Sequence, residues 1–388
     1  MTVIPAIEEF AEDLTEIRHD LHAHPELGFE ETRTAGIVAE KLRAYGLDEV
    51  HEGIGGTGVV GVLKGKGGGN RAIGLRADMD ALPITEAADV PYASTNAGKM
   101  HACGHDGHTT MLLGAARYLA GTRNFDGTVV FIFQPAEEGL GGARRMIAEG
   151  LFDRFPCNEL YGMHNDPNSE PGKVTVTPGP AMAGASFFDI TIKGTGSHAA
   201  MPHQSRDPIV IGAQLVQQLQ TVVSRNTPPL KPVVLSITTF NAGSAYNVVP
   251  DRTVITGTIR YFHDDVIALA EARMRELCAG IAQGFGVEIE VDLRNVFDVL
   301  QNDRDLSAAY IDAAAEIVGA DSTTLGGDPA TGSEDFADML KIVPGAYCRV
   351  GHAGNVPLHN PGFVLDDAIL PVGASIYARI VETRLEVK

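Results

Sequence analysis

Residues 128–134, Thr-Val-Val-Phe-Ile-Phe-Gln, present no polar face. A strand of that kind is buried on both sides, which places it inside a sheet covered by helices on each face. That requirement commits the chain to an α/β layer architecture before any other segment is considered. The strand runs straight into Pro135-Ala-Glu137-Glu138-Gly139. Adjacent residues point in different directions, so one carboxylate can hold a metal while its neighbour faces a bound water. That division of labour is metal-assisted hydrolysis. The plainer alternative is a pair of acids complementing the dipole of the helix predicted over the following residues.

Other predicted strands end in the same way. The segment 71–77 leads into Asp78-Met-Asp80, and 160–163 leads into His164. Ligands gather at strand ends of this sort in open α/β sheets. Between them lies Met100-His101-Ala-Cys103-Gly-His105-Asp106-Gly-His108, a polar loop feeding an apolar helix. In an extended backbone, Cys103 and His105 leave the same face. A thiolate beside an imidazole is a ligand pair that zinc takes. His359 is a further loop histidine, within reach of a site assembled from distant strand ends.

The remaining pattern is helical and extended by turns. Residues 4–22 predict one amphipathic helix, with Ile7, Phe10, Leu14, Ile17 and Leu21 on a stripe. Thr32–Tyr45 predicts a second. Gly56-x-Gly58-x-x-Gly61 matches a dinucleotide fingerprint, but that motif needs a strand before it and a helix after it. Here the apolar runs 59–64 and 71–77, joined by Gly65-Lys-Gly-Gly-Gly-Asn70, predict a β-hairpin. From Gly184 the order becomes β-α-β-β-α-β, that of a ferredoxin-like unit. The expected organisation is a catalytic domain over 1–183 and 297–388 with an inserted domain over 184–296. The insert carries a glycine-rich loop with His198 and His203, then Asn247, then Arg260. Arg260 could clamp a carboxylate or simply pair with Asp264 or Asp265. Glu334 and Asp335 read as helix-start acids.

Charge narrows the partners. Fifty acids against thirty bases give a net charge of −20, the wrong sign for a nucleic-acid surface or a polybasic membrane patch. Four cysteines do not form a disulfide framework. With neither a signal-peptide pattern nor an apolar run of membrane length, the expected location is the cytoplasm.

The motifs HACGHDGH, FQPAEEG, GMHN, GTGSHAAMPH, NVVPD with GTIR, GSEDF and LHNPGF occur in this order from about His22 to Ala374. Together they resemble the M20 peptidase family, and within it the amidohydrolase branch of hippurate hydrolase, N-acyl-amino-acid amidohydrolases and auxin-conjugate hydrolases. The resemblance implies a zinc-exopeptidase-like domain with a mixed central sheet and an inserted lid and dimerisation domain. It implies two divalent metal ions per subunit, zinc or manganese, held by Cys103, His105, Glu138, His164 and His359. By the same resemblance Glu137 is the general base, His198 reaches the substrate carbonyl, often from a partner subunit, and Asn247 and Arg260 bind substrate. Asp78 stands where other branches carry a metal-binding histidine, and Asp80 where a residue orients it. The implied reaction is hydrolysis of an N-acyl amino acid by a homodimer or tetramer. A carboxypeptidase or dipeptidase of the same family and a non-catalytic metal-binding protein are the rivals.

Overall fold

In the computed structural model, which describes residues 2–354 and 356–387, the 128–134 run is an interior strand with neighbours on both edges. The strands of the two main sheets, numbered along the chain, are β1 (Glu49–Ile54), β2 (Gly58–Lys64), β3 (Ala72–Asp78), β4 (Thr128–Gln134), β5 (Glu159–Asp166), β6 (Val174–Val176), β7 (Gly184–Lys193), β8 (Val233–Ala242), β9 (Arg252–Tyr261), β10 (Glu288–Phe297), β11 (Thr323–Leu325) and β12 (Gly345–Gly351). The chain divides into two compact units. The first comprises Met1–Ala181, Gln301–Asp328 and Asp335–Lys388, and the second Met182–Leu300 and Pro329–Glu334.

The first unit is built on an eight-stranded mixed sheet in the order β1-β2-β4-β3-β5-β12-β6-β11. Strands β4, β3, β5 and β12 run parallel, and β1 and β2 are antiparallel at one side. On one face Ile73, Leu75, Phe131, Phe133, Tyr161 and Met163 pack against helices Ala11–Ala23, Thr32–Tyr45, His105–Thr122, Arg304–Val318 and Leu370–Arg384. Phe131 has no exposure, and truncating such a side chain to Ala costs about 3–5 kcal/mol. Residues 142–148 and 336–340 form short helices, burying Met146 and Met339. No helix among the described residues is long and apolar enough to cross a membrane.

Two local expectations change. The hairpin of β2 with β3 does not form, because β4 lies between them. The glycine turn after β2 packs on the approach to β4 instead, with Gly65 N–H on the Gly127 carbonyl at 2.9 Å. A Cβ at Gly67 would stand 2.2 Å from Asp126 Oδ1, so the chain slides past that segment rather than folding back. The hairpin partner of β2 is β1, across a turn at Gly55–Thr57. The helix expected over 4–22 is two helices, Pro5–Glu8 and Ala11–Ala23, with Phe10 turned under the Arg117 guanidinium at 4.2 Å.

The second unit is a β-α-β-β-α-β unit with antiparallel sheet order β8-β9-β7-β10. Helices Pro208–Thr221 and Asp264–Phe285 cover one face, setting Leu215, Leu219, Met274 and Ile281 on Phe188, Ile190, Ile192 and Ile259. Asp207 caps the first helix by accepting from Ile209 N–H at 2.9 Å. Pro329–Glu334 joins this unit through Ala183 N–H, which meets the carbonyls of Ala330 and Gly332 at 3.0 Å each. That segment fell within 297–388 in the sequence division, because so short a crossing segment has no periodicity to announce it.

A buried ionic network ties the first helices to the start of the His105–Thr122 helix. Arg18 Nε donates to Asp106 Oδ2 at 3.0 Å, and Arg18 Nη1 to Asp367 Oδ1 at 2.7 Å. His22 Nδ1 donates to Asp106 Oδ2 at 2.8 Å and Nε2 to Glu86 Oε1 at 3.1 Å. Burial alone would lower the His22 pKa. The Asp106 charge and the hydrogen bonds to Asp106 and Glu86 outweigh it and raise the imidazole to about 9. A raised folded pKa stabilises the fold fully below the unfolded value near 6.5, and that stabilisation disappears as pH rises through about 9. At about 1.4 kcal/mol per unit, the pH-dependent part is at most ~3 kcal/mol. The stability advantage of wild type over His22→Gln is predicted to be largest below about pH 6.5 and to shrink towards pH 9. Urea titrations of both proteins across that range check it, and a gap independent of pH would contradict it.

Candidate metal centre

The parallel strands bring their carboxyl ends together. Asp78 on β3 is in register with Gln134 on β4, and Arg76 with Gly162 on β5. Asp80, Glu137 and Glu138 just beyond these ends, and His164 near the end of β5, therefore converge over one edge of the sheet, where ligands of open α/β folds bind.

Cys103 and His105 arrive there by a different geometry from the extended one expected. Gly104 between them is left-handed, with φ +92°, and His105 is the first residue of its helix. A Cβ at Gly104 would lie 2.5 Å from Asn165 Oδ1, so only glycine lets the loop pass this close to β5. The ligating atoms of Cys103, His105 and His164 lie within 4.8 Å of one another. The same spacing holds for Cys103, Glu138 and His359, and for His105, Glu137 and Glu138. All six residues thus form one cluster within the first unit.

The cluster is oriented from behind. His105 Nδ1 donates to Asp80 Oδ1 at 3.2 Å, and His164 Nδ1 to the Asn165 carbonyl at 2.7 Å. Each ring is left with Nε2 as its lone-pair nitrogen, the tautomer that ligating histidines adopt. His105 Nε2 is buried without a hydrogen-bond partner, and such an atom costs about 1–3 kcal/mol unless something satisfies it. A divalent cation would do so, and thiolate, imidazole and carboxylate are the donors a borderline ion takes. The residues therefore fit a metal. His359 has φ +62° and its Nε2 lies 3.2 Å from Glu138 Oε1. Its hydrogen bonds to Cys103 and Glu138 raise its pKa to about 10.

Asp78, His105 and His108 also meet the spacing of a metal site, but there the groups are already engaged. Asp78 accepts from Arg76 Nη1 at 2.7 Å and from His108 Nδ1 at 2.6 Å, and His108 Nε2 accepts the Asn165 N–H at 3.0 Å. Burial would raise the Asp78 carboxyl, yet the charges of His105, Arg76 and His108 hold it well below the usual carboxylate range. Asp78 thus supports the site from beneath. Asp80 does so too, since its second oxygen accepts the Glu138 N–H at 3.0 Å.

Asp335 does not cap its own helix. Its side chain accepts from Arg76 Nη2 at 3.2 Å, Gln134 Nε2 at 2.6 Å and Ala143 N–H at 3.0 Å, while its own N–H donates to Glu137 Oε1 at 3.3 Å. Arg76, with no solvent exposure, was not a candidate from sequence. Its signal was a charge inside an otherwise apolar strand.

The other candidates lie on the second unit. His198 pairs with Val248, and Ala199 N–H meets the Asn247 carbonyl at 3.0 Å, so His198 and Asn247 line one groove. Arg260 is on β9 and donates to Ser333 Oγ at 2.9 Å. Asp265, a partner considered for it, instead pairs with Lys231.

Known proteins resemble this chain from end to end. The chain is 42% identical over 380 residues to hippurate hydrolase of Campylobacter jejuni, covering 98% of both chains. It is 38% identical to N-acetylcysteine deacetylase of Bacillus subtilis, over 98% of this chain and 99% of that one. The crystal structure of the Bacillus subtilis YXEP protein, described as a dinuclear metal-binding peptidase from the M20 family, superposes with a TM-score of 0.85 at 35% identity, covering 98% of this chain and all of that one. Residues 74–383 match the sequence pattern of peptidase family M20/M25/M40. With the strand-end cluster, the motif order and this end-to-end likeness in agreement, the chain belongs to peptidase family M20/M25/M40.

Proposed function

We propose that this protein is a metal-dependent amidohydrolase that cleaves the amide of an N-acyl amino acid, of hippurate or N-acetyl type, into a carboxylic acid and a free amino acid. The observation that carries the reading is the pair of overlapping triads that share Cys103, with Glu137 beside them. Two three-ligand sets joined by one thiolate suit two adjacent ions, with His105 and His164 on one side and Glu138 and His359 on the other. Zinc or manganese fits these donors. When bound, the ions supply Lewis-acid polarisation and a water of lowered pKa.

The chain's own residues do the rest. Glu137, steadied by the Asp335 N–H, takes a proton from the attacking water as its oxygen bonds to the amide carbon. It returns that proton to the nitrogen as the C–N bond breaks. His198 donates to the carbonyl oxygen as that oxygen gains charge. Asn247 holds the amide, and Arg260 pairs with the substrate carboxylate. A homodimer or tetramer through the second unit completes the reading, supported by β8, an edge strand whose Val234 and Phe240 are exposed. The free thiols suit the cytoplasm. A second reading, carboxypeptidase activity, is favoured by 36% identity to thermostable carboxypeptidase 2 of Saccharolobus solfataricus.

A panel of N-benzoyl, N-acetyl and dipeptide substrates, with and without chelator, separates these readings. Hydrolysis of the acyl amino acids, abolished by chelator, is expected; turnover of dipeptides alone would shift the assignment. Glu137→Gln is predicted to retain its metal and lose ~10²–10⁴ in kcat, and full activity would remove it as the base. His198→Ala should leave metal content unchanged and lower kcat by ~10²–10³. Asp80→Ala should weaken metal binding by ~10–100-fold in a chelator competition, since it frees the His105 ring.

A further inference from the structure

The glycine-rich turn between β1 and β2 is followed by a strand, and its role lies elsewhere than in nucleotide binding. It packs on the turn that carries the acidic pair. A Cβ at Gly58 would stand 3.1 Å from Pro135 Cδ, and one at Gly55 2.6 Å from Met146 Cγ. From the other side, a Cβ at Gly28 would meet Ala136 Cα at 3.0 Å. Two separate segments are thus moulded onto Pro135-Ala136.

Ala136, immediately before Glu137, has φ +54°. A residue with a side chain seldom holds this conformation unless its surroundings enforce it. Its N–H donates to Glu31 Oε1 at 2.8 Å, and Thr57 Oγ1 donates to Glu31 Oε2 at 2.6 Å. Glu31 has no solvent exposure, and Thr57 comes from the glycine-rich turn itself. The Ala136 carbonyl accepts the Gly142 N–H at 3.1 Å. Downstream, Asp80 takes the Glu138 N–H. Glu31 therefore captures the Pro135–Ala136 peptide and Asp80 the Glu137–Glu138 peptide, while the Ala136–Glu137 peptide between them is held through its carbonyl by the Gly142 N–H.

We propose that Glu31 and Thr57 form a positioning clamp that locks Ala136 in its left-handed conformation and so aims Glu137 at the reacting water and Glu138 at the metal. The proposal rests on the amidohydrolase reading above for what Glu137 does. Neither clamp residue belongs to the candidate ligand cluster. Losing the Glu31 carboxyl frees the Ala136 N–H, lets the backbone relax towards negative φ, and swings the two following side chains. Burial raises the Glu31 carboxyl to about 7, so a neutral amide is tolerated in its place. Its oxygen can accept from Ala136, and its NH₂ can donate to the Thr57 oxygen.

The test compares Glu31→Ala, Glu31→Gln, Thr57→Val and Thr57→Ser in the full-length, metal-loaded protein. Glu31→Ala is expected to lower kcat by about 10²-fold with KM within about three-fold, the signature of a misplaced group rather than lost binding. Glu31→Gln and Thr57→Ser should restore most of kcat, and Thr57→Val should fall between. Hydrogen exchange gives a readout independent of turnover. The segment 135–143 should exchange faster in Glu31→Ala and Thr57→Val than in wild type, with β3 unchanged. Wild-type kcat in Glu31→Ala, or equal losses in Glu31→Ala and Glu31→Gln, would overturn the clamp. If Glu31→Ala does not fold, Thr57→Val against Thr57→Ser decides by the same criteria. If wild type hydrolyses no acyl amino acid, the functional reading falls. Exchange then judges the clamp alone, and an unchanged 135–143 segment rejects it.

Discussion

One buried guanidinium underlies the site. Arg76 sits inside the sheet with no exposure and reaches Asp78, Gln134 and Asp335 from β3, the end of β4 and the loop before the 336–340 helix. A charge in that position would cost several kcal/mol if left unpaired, and it is tolerated because each face of its fork meets an acceptor. The geometry follows from the parallel register, which sets Asp78 opposite Gln134. The carboxyl-end edge of the sheet is therefore tied together by a cation beside the proposed metal ligands. The Asp78 carboxyl is held well below the usual carboxylate range, against the effect of burial, by the neighbouring imidazoles and by that charge.

Above that cation, the site is organised by carboxylates that accept backbone N–H groups. Glu31 takes that of Ala136, Asp80 that of Glu138, and Asp335 that of Ala143. Fixing main-chain amides holds a loop more firmly than contacts between side chains, because it removes backbone freedom directly. The same economy appears in Asp80, which orients the His105 ring with one oxygen and anchors the Glu138 backbone with the other. A proposed ligand and the residue carrying the proposed base's neighbour are thus adjusted by one carboxylate. This coupling is the kind that keeps reacting groups within a fraction of an ångström of their working positions.

Much of this was legible in the sequence because burial leaves a periodic trace. The 128–134 strand and the Thr32–Tyr45 helix lie where their apolar patterns put them. The strand-end acids and histidines were visible as polar residues terminating apolar runs. The reading failed where partners are distant. The pairing of β2 depends on β4, which follows in the chain only after β3 and the His105–Thr122 helix, and nothing in the glycine turn announces that intervening strand. Cys103 and His105 were placed together for the wrong reason, since a left-handed Gly104 rather than an extended strand brings them there. Asp335 looked like a helix cap because its local pattern is that of a cap, and its acceptors' donors come from residues far away in the chain.

By itself, the sequence determined the layer architecture, the elements that bear chemistry and the family motifs, because hydrophobic period and residue type are local properties. Only the tertiary structure decided that Asp78 meets the Arg76 guanidinium and Asp80 the His105 ring, since the two acids are alike in sequence and differ in their neighbours. It also decided that Glu31 and the glycine-rich turn converge on Ala136. The physical reason is the same in each case. A carboxylate's role is set by the donors within hydrogen-bond reach, and those donors are brought there by strand register and close backbone approach, which no local pattern encodes.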